Sequence, residues 1–375
     1  MNIIVLAGGA DQIALIEELK IREQDINIIL IDYFDNPPAK KYADKHIKAS
    51  TLDIEEVKQI AINEKADLIT TACTDQAMLT MAKVSEDLSL PCYISYQKAL
   101  NVTNKSYMKE MFVKNNIPTA KYIIVSESDY IDIPNFEYPL VVKPVDCNSS
   151  KGVKKVFSKS ELEEALSNAI VFSRTNSAII EEFKEGIELS VDVYIDHGVA
   201  KILSITSSNK IPNNNNSFTI LQSCYPVSIN LDIKTKIQQT AQLISEKFEL
   251  DNCPMLIQLI CAGENIFVLE FSARMGGGSK YNLIQILSGI DIMKVYTDRV
   301  LGLYPTVNPT ELKKHVKMNY VYCKPGIISE FKHFDTLQNS GLIHSYFLYK
   351  SIGMEIVKSE TSSDRPAGFV VVGDT

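Results

Sequence analysis

Short apolar runs that end in turns and alternate with helical spacing constrain the first hundred residues more than any other feature. Ile3–Ala7 is the first such run and stops at Gly8-Gly9; residues 11–21 then place apolar side chains at helical intervals. A second run, Ile26–Ile31, ends at Asp32, a third is Leu68–Ala72, and 75–88 reads as another helix. Strands apolar on both faces need cover on both, so this alternation predicts a parallel sheet with helices packed against it.

A glycine turn after the first strand and an acid at the end of the second invite a dinucleotide reading. The turn, however, is Gly8-Gly9-Ala10-Asp11-Gln12 and not Gly-x-Gly-x-x-Gly. Asp11 would also stand where a pyrophosphate should lie, and like charges repel there. The expectation is a Rossmann-like layer that packs or binds some ligand other than NAD.

From about residue 100 the pattern changes. Thr103 reads as the N-cap of a helix running to about Asn115, ahead of Pro118. Strands are expected at Tyr122–Val125, Leu140–Lys143, Lys154–Phe157, Ala178–Glu182 and Leu189–Ile195, with one helix at about 159–170. Residues 207–218 read as a polar, Asn-rich loop and 231–248 as a helix. A hairpin over 255–272 turns at Ala262-Gly263-Glu264-Asn265. After Gly276-Gly277-Gly278 a helix is expected near 281–302, and the remainder reads as mostly β.

Composition excludes several classes. A net charge of −8 opposes nucleic-acid binding, which favours a basic surface. Seven scattered cysteines, without a Cys-x-x-Cys pair, support neither a disulfide framework nor a zinc site. No apolar run approaches the roughly 20 residues of a membrane span, and no basic leader precedes Ile3. The chain is expected to be cytoplasmic, with no membrane or nucleic-acid partner.

An acidic chain can still bind a polyanion if its few cations converge. Lys105, in the first turn of a helix, opposes the helix dipole unless an anion is shared there. Lys143 closes the run Tyr-Pro-Leu-Val-Val-Lys-Pro, so its ammonium must find a polar partner. The stretch after it, Asn148-Ser149-Ser150-Lys151-Gly152-Val153, joins two strands with small hydroxyl residues and a glycine, and reads as a flap whose backbone N–H groups fold over phosphates. Alternation in Ala178–Phe183 puts Glu181 and Phe183 on one face, where a strand end beside an aromatic suits a purine. Past the Gly186 bend, Glu188 is placed to accept from ribose hydroxyls.

In the hairpin, Gln258 and Glu270 fall close to opposite each other. Two oxygen-bearing side chains amid Leu, Ile, Val and Phe are costly to bury unless a cation neutralises the carboxylate. Arg274 and three glycines follow at once. Hard oxygen donors, an arginine and bare backbone amides are what phosphoryl transfer requires.

Taken in order, Lys105, Lys143, the Ser-rich glycine flap, Glu181-Glu182-Phe183, Gly186-x-Glu188 and Leu269-Glu270-x-x-Ala-Arg274-x-Gly-Gly-Gly resemble the ATP-grasp superfamily. The nearest branch is the carbamoyl-phosphate-synthase and biotin-carboxylase-like carboxylate–amine ligases, which include amino-acid ligases. The resemblance implies an α/β chain: a Rossmann-like parallel-sheet domain over 1–95, an ATP-grasp fold of two α+β lobes over 100–310 with its flap lobe at about 120–190, and a small β-rich C-terminal domain over 311–375. It implies ATP and Mg²⁺ as cofactors, with Mn²⁺ able to substitute, and small-molecule carboxylate and amine substrates; a homodimer is one assembly it allows.

Position by position, the resemblance implies that Lys105 and Lys143 hold ATP phosphates while Ser149, Ser150, Lys151, Gly152 and Val153 close over them. Glu181, Glu182 and Phe183 would line the adenine hinge, and Glu188 would take the ribose. Gln258, Glu270 and Ser272 would hold metal, and Arg274 would stabilise an acyl phosphate. Substrate would meet Gly276, Gly277 and Gly278, with Gly9 and Lys210 adding specificity. Gln258 and Ser272 stand where many relatives carry Glu and Asn, leaving one fewer negative charge. The implied activity is an ADP-forming carboxylate–amine ligase working through an acyl phosphate. Amidation of a sugar acid or peptide, a biotin-carboxylase-like reaction and a non-catalytic nucleotide-binding protein stay open as alternatives.

Overall fold

Helices α1 (Ala10–Arg22), α2 (Ile54–Asn63) and α3 (Asp75–Asp87) pack around four parallel strands, β1 (Asn2–Leu6), β2 (Asn27–Asp32), β3 (Lys45–Lys48) and β4 (Leu68–Thr70), in the order β3-β2-β1-β4. The computed structural model describes residues 1–22, 25–126, 136–147, 151–212, 218–312, 314–357 and 361–374. The apolar runs are covered as their composition demands: Ile3–Leu6 and Ile28–Ile31 are fully buried.

Two helices lead out of this layer, α4 (Tyr96–Thr103) and α5 (Lys105–Lys114). Thr103 is not the expected N-cap. It ends α4, its hydroxyl donating to Ala99 O, and Asn104 caps α5 by accepting from Ser106 N and Tyr107 N. Both residue types cap well; the chain starts its new helix one residue later because α4 still claims Thr103.

The small lobe has β5 (Tyr122–Ser126), β6 (Leu140–Pro144), β7 (Lys154–Val156) and β8 (Ser177–Glu182) in the order β5-β8-β6-β7, covered by α6 (Lys159–Phe172). A large sheet follows: β9 (Ile187–Asp196), β10 (Val199–Lys210), β11 (Ile220–Tyr225), then α7 (Leu231–Lys247), then β12 (Cys253–Ala262) and β13 (Asn265–Ser272). Residues 207–210, expected in a loop, extend β10 and pair with β11. The single helix expected near 281–302 is two, α8 (Lys280–Ser288) and α9 (Ile292–Val300), because Gly289 turns the backbone left-handed at φ 71°.

Strand β14 (Lys314–Val321) pairs with β11, so the eight strands run β13-β12-β9-β10-β11-β14-β18-β16, with β15 (Gly326–Ile327) and β17 (Glu355–Ile356) as a separate ribbon. The last strands are β16 (Ser345–Leu348) and β18 (Ala367–Asp374), and α10 (Phe334–Asn339) lies between β15 and β16. Among the described residues no helix is long and apolar enough to cross a membrane.

Two contacts position the site. Phe112 of α5 packs on Phe271 of β13 and Phe248, with ring centroids 6.1 and 6.2 Å away, so α5 lies against the hairpin. Gly186 lets β9 enter beside β12: a Cβ there would stand 2.3 Å from Cys261 O. Any side chain would push the two strands apart.

Candidate active site

A cavity of about 340 Å³ lies between the small lobe and the large sheet, within the range of small-molecule sites. It is lined by Lys105, Lys143, Val153, Glu181, Glu182, Phe183, Glu188, Lys210, Gln258 and Glu270, so ten of the residues singled out in the sequence meet in one place.

Lys105 arrives at the first position of α5 and is nearly buried. Its Nζ donates to Cys147 O at 2.8 Å and lies 3.2 Å from Glu270 Oε2. Burial works against the ammonium, but Glu270 beside it outweighs that and raises its pKa. On Glu270 burial pushes the carboxyl up while Lys105 and Lys143 pull it down further, so it stays ionised. The cation expected to neutralise Glu270 is thus in part Lys105.

Lys143 comes from β6, and its Nζ lies 2.7 Å from Glu181 Oε2. Glu181 is 3% exposed and clamps a second lysine, Lys109, at 2.6 Å from Oε1. Burial pushes the Glu181 carboxyl up, yet the two ammoniums hold it down at about 2. Burial also lowers Lys109, to about 8. Sequence reading missed Lys109, although its position four residues after Lys105 puts both on the buried face of α5. Glu182 pairs with Lys184 and Lys121, at 2.8 and 3.4 Å. Phe183 lies under Lys155, whose Nζ is 3.4 Å from the ring centroid; Lys155 lines the cavity, and the sequence reading missed it.

Glu188 accepts from Lys210 at 2.7 Å. Lys210, expected on the substrate side, therefore shares the cavity with the lysines and Glu181. Gln258 and Glu270 are directly paired across β12 and β13. With 36% of its side chain exposed, Glu270 offers oxygen to the cavity beside the Gln258 amide, a donor set that fits a hard cation held largely by phosphate oxygens. Among the described residues no cluster of three His, Cys, Asp or Glu side chains could hold a metal unaided. Ser272 pairs with Leu256 and does not line the cavity.

A second group gathers just outside. Arg274 binds Asp75, not Glu270: Nε donates to Oδ1 at 2.8 Å, Nη2 to Oδ2, and Nη1 to Met275 O at 2.8 Å. The glycine loop is gripped by Asp11, whose carboxylate accepts from Gly278 N at 3.2 Å and Ser279 N at 2.8 Å. Burial raises the Asp11 pKa. The acid that argued against a pyrophosphate thus occupies the start of α8 itself. Bulk is excluded at this loop, since a Cβ on Gly278 would meet Arg365 Nη2 at 2.7 Å and Tyr320 Oη at 2.9 Å. Among the described residues Gly9 has only Gln12 Oε1 near its Cβ position, at 3.3 Å. Gly152 takes φ 71° against Pro144 and Phe172, and Lys151 precedes it; Ser149 and Ser150 lie outside the described residues.

Comparison with known proteins bears on the fold. Residues 136–282 match the family model described as an ATP-grasp domain. Phosphoribosylamine–glycine ligase of Methanocaldococcus jannaschii is 23% identical over 320 residues, covering 79% of this chain and 72% of that protein. The L-amino acid ligase of Bacillus licheniformis superposes with a TM-score of 0.78 at 18% identity, over 100% of this chain and 93% of that one. The biotin carboxylase domain of Hydrogenobacter thermophilus 2-oxoglutarate carboxylase, in complex with MgADP, ADP and bicarbonate, gives 0.77 at 15% identity over 99% and 86%. At these identities the structural likenesses establish the fold.

Proposed function

We propose, from the premise that this chain belongs to the ATP-grasp superfamily, that it is an ADP-forming ligase joining a small carboxylic acid or amino acid to an amine. The observation that carries this reading is the convergence of Lys105, Lys143 and Glu270, from three separate elements, on one cavity.

In this reading the substrate carboxylate attacks the γ-phosphorus of ATP, the bond to ADP breaks, and an acyl phosphate forms. The amine nitrogen then bonds to the acyl carbon as the C–O bond to phosphate breaks, and inorganic phosphate leaves with the proton that the nitrogen gives up. Lys105 and Lys143 meet the phosphates with charge-assisted contacts. Phe183 supplies an aromatic surface for the base, and Glu188 accepts from the ribose. Glu270, with the Gln258 oxygen, would hold Mg²⁺, or Mn²⁺ in its place, which neutralises phosphate charge when bound. Arg274, oriented by Asp75, faces the developing negative charge. Positioning and electrostatics carry the reaction, so no covalent nucleophile is needed.

The test is an ADP-release screen against amino acids, dipeptides and uronic acids, with mass spectrometry of the products and hydroxylamine to trap the acyl phosphate as a hydroxamate. ADP and phosphate are the expected products; AMP as the main nucleotide would overturn the assignment. Lys105→Ala and Lys143→Ala should each weaken ATP binding about 10- to 100-fold.

A further inference from the structure

Behind the cavity wall sits a charged group that the reaction does not touch. Lys109 has no exposed surface and does not line the cavity. Its Nζ is 2.6 Å from Glu181 Oε1 and donates to Thr119 Oγ1 at 2.5 Å and to Val268 O at 3.2 Å. The other Glu181 oxygen belongs to Lys143, which does line the cavity.

Charge balance separates the two lysines. If Glu181 had Lys143 as its single partner, the pair would be neutral, and Lys143 would bring no net charge to an anionic ligand. With Lys109 on the far oxygen, the three groups carry one net positive charge. Away from water that charge acts far more strongly than on a surface. The two hydrogen bonds of Lys109 tie it to the segment after α5 and to β13, so it cannot follow Glu181 into the cavity.

We propose that Lys109 is a positioning residue: by neutralising Glu181 from behind, it leaves the charge of Lys143 to the nucleotide phosphates. This rests on the nucleotide reading of the cavity. It is distinct from packing, because a packing role would be indifferent to the charge on Glu181.

The experiment is calorimetric titration of the full-length protein with ADP and Mg²⁺, comparing wild type, Lys109→Met, Lys109→Arg, Glu181→Gln and the double variant Lys109→Met/Glu181→Gln. Lys109→Met should weaken ADP binding about 10- to 100-fold, since Glu181 then claims Lys143. Lys109→Arg should stay close to wild type. The double variant should recover to the level of Glu181→Gln, because the uncompensated carboxylate is gone. Should Lys109→Met fail to fold, the comparison of the double variant with Glu181→Gln still decides. A double variant that binds far more weakly than Glu181→Gln overturns the inference, as does Lys109→Met binding like wild type. A folded wild type that does not bind ADP sinks the nucleotide reading, and this inference with it.

Discussion

Arg274 donates to both carboxylate oxygens of Asp75, a residue 199 positions earlier in the chain, so the entrance to the triple-glycine loop is clamped by the first residue of α3. The two side chains are 15% and 8% exposed. A planar guanidinium held in a fork at a partly desolvated site has one orientation, which makes Asp75 the element that aims Arg274.

Removing the clamp should separate stability from chemistry. Asp75→Ala leaves a buried guanidinium without its partner and should cost about 3 kcal/mol in urea denaturation. Asp75→Asn keeps the shape and loses the charge, so it should lower kcat for ADP release about 10-fold with little change in the KM for ATP. If Asp75→Asn instead raises the ATP KM and spares kcat, Arg274 acts in nucleotide binding.

Gly186 is the tightest backbone crossing near the cavity. A Cβ would meet Cys261 O at 2.3 Å and Ile260 Cγ2 at 2.8 Å, and neither strand can yield without disturbing Ile187–Cys261 pairing. Gly186→Ala should therefore destabilise by about 1–3 kcal/mol or more through overpacking. Among the described residues nothing lies within 4 Å of the Cβ position of Gly263, at φ 62°, so Gly263→Ala should cost about 1 kcal/mol, from backbone strain alone. Chemical denaturation of the two variants ranks them; equal costs would mean that β9 and β12 separate easily.

Acid should weaken the fold through Glu181. Burial pushes its pKa up, Lys109 and Lys143 hold it down at about 2, and the net shift is below the ordinary 4.5. A carboxyl depressed in the folded state contributes stability above its unfolded pKa and loses it as pH falls through the folded one. Wild type should thus lose on the order of 2–3 kcal/mol relative to Glu181→Gln between about pH 5 and pH 2. Stability curves for both proteins that run parallel through that window would show that Glu181 is not ionised in the fold.

Local patterns were legible in the sequence, and distant partnerships were not. Apolar runs predicted the parallel sheet because burial on both faces leaves its mark on Ile3–Leu6 of β1 and Ile28–Ile31 of β2. Turn geometry put Gln258 and Glu270 near each other, but a regular register about Ala262–Asn265 would set Gln258 opposite Leu269. A bulge between Gln258 and Leu259 brings Glu270 there instead. The break at Gly289 was lost within a helical pattern that continues on either side. Asp75, Asp11 and Lys109 each find their meaning in residues far along the chain, Arg274, Gly278 and Glu181, and no spacing rule links them. Ten residues of the cavity could be named because each sits in a short motif; their supports could not.

The metal shell carries the last prediction. Glu270 is the cavity carboxylate paired across the strands with Gln258, and Lys105 at 3.2 Å already takes part of its charge. Mg²⁺ keeps several waters and takes phosphate oxygens, so one carboxylate can suffice, but the hold on a second ion should be weak. Glu270→Gln should abolish ADP release and leave the fold intact, because Lys105 keeps its bond to Cys147 O. Gln258→Glu places a second negative charge across the strand pair and should lower the Mg²⁺ concentration for half-maximal rate about fivefold, near 1 kcal/mol. Lys105 works against a larger gain by sharing its ammonium between the two carboxylates. A magnesium titration of the Gln258→Glu variant decides: an unchanged requirement would mean that Gln258 is not a ligand and that the ions sit on Glu270 and phosphate alone.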